Sequence, residues 1–293
     1  MAANYKKHSG DRKEGRLLHS LSPFTKFIPF IMPTRNDATN LYEDSAEITE
    51  VDKFLHKARA NGYKGIGMLH FMIAAYVRCV SMLPGMNRFV VGRRIYARDN
   101  IEVMLTVKRE IALNAPETTV KVIFEPTDTV FDVYRKMNEK IDEIKLNDEN
   151  NNTENVANAL TKLPRFILRF ALTILRIMDY YGWLPQSLLD ASPFHASLVV
   201  SDLGSIRLNP VYHHIYNFGT VSMVIVFGSK RHAYELDKDG ELHDRKYIDC
   251  KISVDERITD GHYCGQFFQA MKYIFQHPAI LASPPSKVIE DVD

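Results

Sequence analysis

The stretch ISVDERITDGHYCGQFFQAMKYIFQHP, residues 252–278, decides the fold. Its first residues alternate between apolar and polar side chains, which predicts a strand. A turn rich in acidic residues follows at 255–260, and apolar side chains then recur at helical spacing over 261–276. The sequence therefore predicts a strand, an acidic turn and an amphipathic helix near the end of the chain.

The turn itself, DERITDG at 255–261, resembles a known catalytic motif. The acyltransferases of 2-oxoacid dehydrogenases carry Asp-His-Arg-x-x-Asp-Gly there, and chloramphenicol acetyltransferases carry the related His-His-x-x-x-Asp-Gly. Four of the five fixed positions match the first motif. The exception is Glu256, which stands where the family has its catalytic histidine.

Three further segments agree with this resemblance. ASLVVSDLGSI, residues 196–206, is similar to the family's T-x-S-N-L-G stretch, and Ser201 falls on the serine that donates a hydrogen bond to the developing oxyanion. Residues 101–123 are similar to the family's strand–turn–strand. Arg35, in IMPTRNDAT, falls where the family has a basic residue that pairs with the motif aspartate.

The resemblance covers roughly residues 24–278 and implies an α/β fold, a two-layer mixed β-sheet with helices packed on it, as in chloramphenicol acetyltransferase. Helices and strands that mix without regular alternation favour the same class. The resemblance also implies a homotrimer with its active site at the subunit interface. The lipoyl and subunit-binding domains of dehydrogenase acyltransferases have no counterpart in this sequence.

The activity implied is acyl transfer from an acyl thioester, with acyl-coenzyme A as the expected co-substrate, to an unknown small-molecule acceptor. Ser201 would stabilise the oxyanion, Glu256 would be the base, and Asp260 with an arginine would hold the loop. Arg257, Arg35 and Gly261 would support that loop. No tightly bound cofactor and no metal are expected.

The glutamate leaves two functions open. A free glutamate has a pKa of about 4.3, roughly two units below histidine, so a glutamate base needs a dry site. The alternative is a catalytically impaired homologue that binds an acyl thioester or a protein partner. His213 and His214 are adjacent and make no metal pair by themselves, and His262 projects from the following helix, so we do not expect any of the three to replace the missing histidine.

The bulk composition excludes several classes of protein. The 293 residues are 45% hydrophobic and 25% charged, with a formal net charge of +1, so no overall field attracts nucleic acid. Cys79, Cys250 and Cys264 have neither metal-type nor disulfide-framework spacing. We therefore expect reduced thiols, with Cys264 a candidate reactive thiol near the motif, in a cytoplasmic protein. The polar N-terminus does not resemble a signal peptide.

The predicted organisation is a flexible polar arm over 1–20, an acyltransferase-like domain over 21–281, and a tail over 282–293. Within the domain, the pattern predicts an extended segment at 24–32, a buried helix at 68–82 and a helix at 128–146 with Asp128 as its N-cap. A polar loop at 147–155 and a hairpin at Asp239-Gly240 are also expected.

An apolar helical insertion spans 156–191, and its part at 158–185 carries Arg165, Arg169 and Arg176 among many apolar residues. Pro164 suits the start of a helix and Gly182 its end. Three interpretations remain open: packing in the core or at a trimer contact, lining an entrance for an apolar substrate, or peripheral contact with a membrane surface. The arginines exclude a transmembrane span.

Overall fold

The computed structural model describes residues 7–108, 117–146, 162 and 164–293. The loop predicted at 147–155 lies outside the described residues. The helices are α1 Pro23–Ile31, α2 Thr49–Ala60, α3 Met68–Met82, α4 Val130–Leu146, α5 Arg165–Tyr181, α6 Gln186–Ala191 and α7 Gly261–Gln276. The strands are β1 Gly15–Leu17, β2 Thr39–Glu47, β3 Arg88–Val91, β4 Arg94–Arg98, β5 Ile101–Lys108, β6 Glu117–Phe124, β7 Leu198–Asp202, β8 Met223–Leu236 and β9 Leu242–Asp255.

Six strands form the central sheet, in the order β2-β9-β8-β7-β5-β6. The sheet is mixed, because β7 runs parallel to both β5 and β8 while the other pairs are antiparallel. A smaller antiparallel sheet has the order β1-β4-β3. With helices packed on it, this mixed sheet confirms the predicted fold class.

The two faces of the central sheet are covered differently. Alternate side chains of β7, β8 and β9 join the main core together with α3 and α7 (Leu198, Val200, Met223, Ile225, Phe227, Ile252 and Val254). The residues between them face the other way, where a smaller cluster contains Met104, Val224 and Val226, with Val199 packed against it. Ser201 follows Val199 by two residues, so it lies on this second face.

Two predicted helices and a turn have the expected bounds. The helix α3 is buried nearly all round, which explains why its sequence is apolar on every face. The helix α7 begins at Gly261, where the Asp260 side chain accepts a hydrogen bond from the Tyr263 amide. Gly240 has φ +81° at the hairpin between β8 and β9, in the left-handed region that glycine tolerates.

Two local predictions were wrong. Residues 23–31 form a helix and not an extended segment, because the Ser22 hydroxyl accepts the Thr25 amide and Pro23 occupies the first turn, where a missing N–H costs nothing. Pro29 is tolerated within this short helix. At α4 the capping residue is Thr129 and not Asp128, since Thr129 and Asp132 exchange side-chain-to-amide hydrogen bonds.

The prediction of a flexible arm over residues 1–20 does not describe residues 12–18. Arg12, Glu14 and Leu18 are buried, and β1 pairs with β4. The guanidinium of Arg12 lies 2.8 Å from the carboxylates of both Glu14 and Asp179. A buried cation is retained where it has such partners, so these ion pairs tie the N-terminal segment to the C-terminal end of α5.

The apolar insertion forms α5 and α6. Pro164 precedes α5, and Gly182 ends it with φ +74°, as predicted. Among the residues that the structure describes, no helix is long and apolar enough to cross a membrane.

Candidate active site

The centre of the motif is a buried carboxylate at the end of β9. Asp255 is fully buried, and the guanidinium of Arg257 binds it in bidentate fashion, with Nε 2.8 Å from Oδ1 and Nη2 2.7 Å from Oδ2. The third nitrogen of Arg257 donates to the carbonyl oxygen of Met32 at 3.0 Å. This geometry fixes the turn between β9 and α7 against the end of α1.

A second arginine approaches the same carboxylate. The Nε of buried Arg35 lies 3.9 Å from Oδ2 of Asp255, and its other nitrogens donate to the carbonyl oxygens of Val90 and Asn217. Burial lowers the pKa of Arg35 to about 10, and the charge of Asp255 opposes that decrease. The structure therefore brings together Arg35, Asp255 and Arg257.

The carboxylate paired with arginine is thus Asp255, whereas the resemblance implies this role for Asp260. Asp260 is exposed and caps α7, with Oδ1 2.8 Å from the Tyr263 amide. The physical reason is position: Asp255 ends a buried strand, whereas Asp260 starts a surface helix. Gly261 occupies the first turn of α7, with open space where a side chain would lie.

Glu256 points away from the buried ion pairs. Its amide donates to the carbonyl oxygen of Ala38 at 2.9 Å, which fixes the backbone. Its half-buried carboxylate accepts a hydrogen bond from Nδ2 of Asn40 at 2.6 Å. The part of this single chain that the structure describes does not form around it the fully dry pocket that a glutamate base needs. Asn40 was missed in the sequence, because only strand pairing between β2 and β9 brings it there.

Ser201 lies on β7 and is half-buried, at the start of a tightly folded loop. The Asp202 side chain accepts the Ser205 amide at 3.0 Å, and burial raises the pKa of Asp202. A Cβ on Gly204 would meet the carbonyl oxygen of Gly228 at 2.6 Å. The close approach of these two glycine backbones requires the glycine of the S-D-L-G segment.

Within one chain, Ser201 and Glu256 do not meet. Ser201 is level with Val226 on β8 and, through it, with Lys251 on β9. Two strand spacings of about 4.8 Å and five residues of about 3.3 Å place the Cα atoms of Ser201 and Glu256 roughly 19 Å apart. No single small substrate group can contact both side chains at that separation.

The other histidines occupy different environments. His262 is exposed on α7 beside Gln266. The carbonyl oxygen of His213 accepts from the Ser253 hydroxyl, so its loop lies over β9, and its ring stacks on that of His214. Among the described residues, the side chains at metal-ligating distance from one another are Asp237, Glu241 and His243, at the exposed hairpin far along β9 from the motif.

A buried polar cluster was also missed in the sequence. The ring of His195 lies 2.7 Å from the Ser192 hydroxyl at Nδ1 and 3.4 Å from Asp179 at Nε2. Arg12 contacts the same Asp179 carboxylate. Residues so distant in sequence give no local signal, and the cluster joins the N-terminal segment, the end of α5 and the loop before β7.

The comparisons with known proteins concern the fold. No protein-family model matches this sequence, and no curated protein matches it either. A probable dihydrolipoamide acetyltransferase from Listeria monocytogenes 4b F2365 is similar in structure with a TM-score of 0.56 at 15% identity, over 92% of this chain and 96% of that one. A chloramphenicol acetyltransferase gives 0.53 at 11% identity, over 89% and 99%.

Dihydrolipoamide acetyltransferase of Azotobacter vinelandii has a TM-score of 0.51 at 13% identity, over 90% of this chain and 94% of that one. Crystallographic and enzymatic work on that enzyme concerns the role of a serine, a histidine and an asparagine in its catalytic mechanism. The similarity extends over nearly the whole of each chain, so it includes both the mixed sheet and the strand–turn–helix motif. The chain therefore has the fold of the catalytic domains of chloramphenicol acetyltransferase and the 2-oxoacid dehydrogenase acyltransferases.

Proposed function

We propose that this protein transfers an acyl group from an acyl thioester, with acyl-coenzyme A as donor, to a small-molecule acceptor. The reaction takes place at a site shared between two copies of the chain in a homotrimer. The separation of Ser201 and Glu256 carries this proposal, because each is half-buried and roughly 19 Å from the other by strand geometry. A second copy supplies the missing half and removes water.

Each residue has a distinct part in the reaction. Glu256, oriented by Asn40 and by its own amide, accepts the proton of the attacking thiol or hydroxyl. The nucleophile adds to the thioester carbonyl, and the Ser201 hydroxyl of the facing copy donates to the oxyanion that develops. The intermediate then expels the thiolate of coenzyme A, which takes up the proton. Asp255 and its two arginines are positioning residues, because this buried group fixes the backbone next to Glu256.

The direct test measures release of free thiol from acetyl- and longer acyl-coenzyme A with a panel of acceptors. We expect Glu256→Gln and Ser201→Ala each to remove activity, by about 100-fold or more for loss of the base or of an oxyanion donor. Acyl transfer is refuted if the wild-type protein releases no thiol above background and its rate of release does not differ from that of Glu256→Gln. Glu256→His is a companion variant, in which increased activity indicates an intact surrounding site.

The shared site has its own test by complementation. When the two inactive variants are co-assembled in equal amounts in a cyclic trimer, about one quarter of the interfaces contain both an intact serine and an intact glutamate. We expect about that fraction of wild-type activity. A mixture as inactive as its parents, with mixed trimers demonstrated by mass, would show that the two residues do not act across an interface.

A second candidate function is binding of an acyl thioester or a protein partner without catalysis. The half-exposed position of the Glu256 carboxylate and its hydrogen bond to Asn40 favour it, because the described residues of one chain do not desolvate that carboxylate fully. Calorimetry separates the two functions. Saturable binding of acyl-coenzyme A without thiol release supports the second, whereas turnover supports the first.

A further inference from the structure

The helix α5 presents two apolar stripes, of which only one faces the domain. The stripe toward the domain consists of half-buried residues at helical spacing, namely Leu168, Ala171, Leu175 and Met178, with the buried Asp179 beside them. A second stripe, turned by about 120° from the first around the helix axis, is exposed and contains Phe166, Ile167, Phe170, Ile174, Ile177 and Tyr181. Phe166 is 73% exposed and Phe170 68% exposed.

The charged residues of α5 are segregated as well. Arg165, Arg169 and Arg176 recur four and seven residues apart, so they lie in one row along the helix. This row borders the exposed apolar stripe on the side away from Ile167 and Ile174. The only acid of α5, Asp179, is buried against Arg12. The outer surface of the helix is therefore apolar with a purely cationic edge.

This surface continues onto α1 through the turn between β3 and β4. A Cβ on Gly92 would lie 2.8 Å from the carbonyl oxygen of Tyr180, and the guanidinium of Arg93 lies 5.6 Å from the ring centre of Phe30. The helix α1 exposes four further large apolar side chains, namely Phe24, Phe27, Phe30 and Ile31. We call α1, the turn 92–94 and α5 with Trp183 the α1–α5 surface.

The charge of the α1–α5 surface identifies its partner. Its exposed charged residues are all basic, namely Lys26, Arg93, Arg94, Arg165, Arg169 and Arg176. The whole sequence is nearly neutral, with 37 lysine and arginine residues against 36 acidic ones. A two-fold contact of this surface with itself would place these cations against each other, and a contact with a different surface of a second copy would need acidic residues opposite them. An anionic bilayer offers both phosphate charges and apolar volume.

We propose that the α1–α5 surface docks the protein on the surface of an anionic lipid bilayer. The phenylalanines of α5 and α1 enter the boundary between headgroups and acyl chains, and the arginine row contacts lipid phosphates. Trp183, 63% exposed at the end of α5, and Tyr180 and Tyr181 lie at headgroup depth, where aromatic side chains with a polar atom are favoured. The proposal is independent of acyl transfer, and Ser201 and Glu256 have no part in the contact with lipid.

The test uses the full-length protein and vesicles of phosphatidylcholine with or without phosphatidylglycerol. Trp183 is the only tryptophan of the sequence, so its emission reports directly on this surface. We expect flotation with anionic vesicles at low salt, a shift of Trp183 emission to shorter wavelength, and loss of binding as salt increases. Vesicles without anionic lipid should bind at least about tenfold more weakly.

Matched variants localise the contact. Phe166→Ser with Phe170→Ser, and Arg169→Gln with Arg176→Gln, should each weaken vesicle binding by about tenfold or more, at unchanged melting temperature. The controls are Leu236→Ser with Leu242→Ser, which remove equally exposed apolar side chains from the distant β8–β9 hairpin and should leave binding unchanged.

Wild-type protein that stays with the soluble fraction, without a Trp183 shift, overturns the proposal. It is also overturned if the phenylalanine variants dissociate an oligomer during size-exclusion chromatography, because the surface would then be a contact between copies.

Discussion

Removing the charge of Asp255 should destabilise the fold far more than removing a charge elsewhere on the same strand. In Asp255→Asn the side chain keeps its size but no longer carries the negative charge that balances Arg257 and Arg35. Both guanidiniums are buried, and in the native protein three of their nitrogens lie within 3.9 Å of the carboxylate. The variant therefore leaves two cations in the interior without their counter-ion.

The magnitude follows from the burial. Breaking a buried ion pair by removing one partner costs about 3–5 kcal/mol, because the remaining charge stays desolvated. We expect the free energy of unfolding to fall by that amount and the melting temperature to fall by roughly 5–8 °C. Equilibrium unfolding in urea, followed by far-UV circular dichroism, measures the change at constant pH.

Asp249→Asn is the matched control on β9. Its carboxylate pairs with Arg231 at 3.1 Å, but the two side chains are 35% and 45% exposed. Exposed pairs of this kind contribute about 0–1 kcal/mol. A loss below about 1 kcal/mol in Asp255→Asn, equal to that of the control, would refute the conclusion that the Arg35–Asp255–Arg257 group holds the motif.

Three further outcomes are expected. Burial lowers the pKa of His70 to about 4, below its unfolded value of about 6.5, so the unfolded chain takes up a proton first as the pH falls and the folded state loses stability. Urea titrations should therefore show a free energy of unfolding about 1–2 kcal/mol lower at pH 5 than at pH 7. An equal loss between these pH values in His70→Gln would contradict this. Gly204→Ala would place Cβ 2.6 Å from the carbonyl oxygen of Gly228 and should lower the free energy of unfolding by about 1–3 kcal/mol. The control Gly265→Ala adds a methyl group in open space on α7 and should raise the free energy of unfolding by a few tenths to about 1 kcal/mol. A destabilised Gly265→Ala or an unchanged stability of Gly204→Ala would contradict the packing argument. Burial raises the pKa of the Cys264 thiol to about 11, so iodoacetamide at neutral pH should alkylate it at least about tenfold more slowly in the folded protein than in urea, and equal rates, measured by mass spectrometry, would contradict this.

The sequence predicted best the elements whose limits are encoded within a few residues. The helices 68–82 and 261–276 have the predicted bounds, because their apolar periodicity, the proline after the first and Asp260 before the second are all local signals. The segment at 24–32 is a helix and not the predicted extended segment, because Ser22 and Pro23 form a helix start that the presence of Pro29 does not cancel. In a helix of two turns, one lost hydrogen bond is offset by that cap.

The sequence predicted the site less well, because its parts are assembled from distant segments. Asp255 and Asp260 occupy one motif, and only the burial of the end of β9 shows which of them faces an arginine. In the sequence Arg12 is one of several basic residues in a polar terminus. In the structure it donates a hydrogen bond to the carboxylate of Asp179, 167 positions away. Such contacts depend on the packing of whole elements and leave no periodicity in either segment.

Glu256 stands where the similar motif has histidine, at a position whose side chain the fold leaves half-exposed. Asp255 and Arg257 are buried and bound to each other, and Asp260 starts a helix, so a change at any of these three disturbs packing or capping. Glu256 contributes its backbone amide to Ala38, which any residue except proline would do, and one side-chain hydrogen bond at a half-exposed position. The identity of this side chain therefore contributes little to the stability of the fold. For this reason the complementation experiment, and not the stability of Glu256 variants, decides whether the glutamate replaces the histidine as a base or marks a site that only binds.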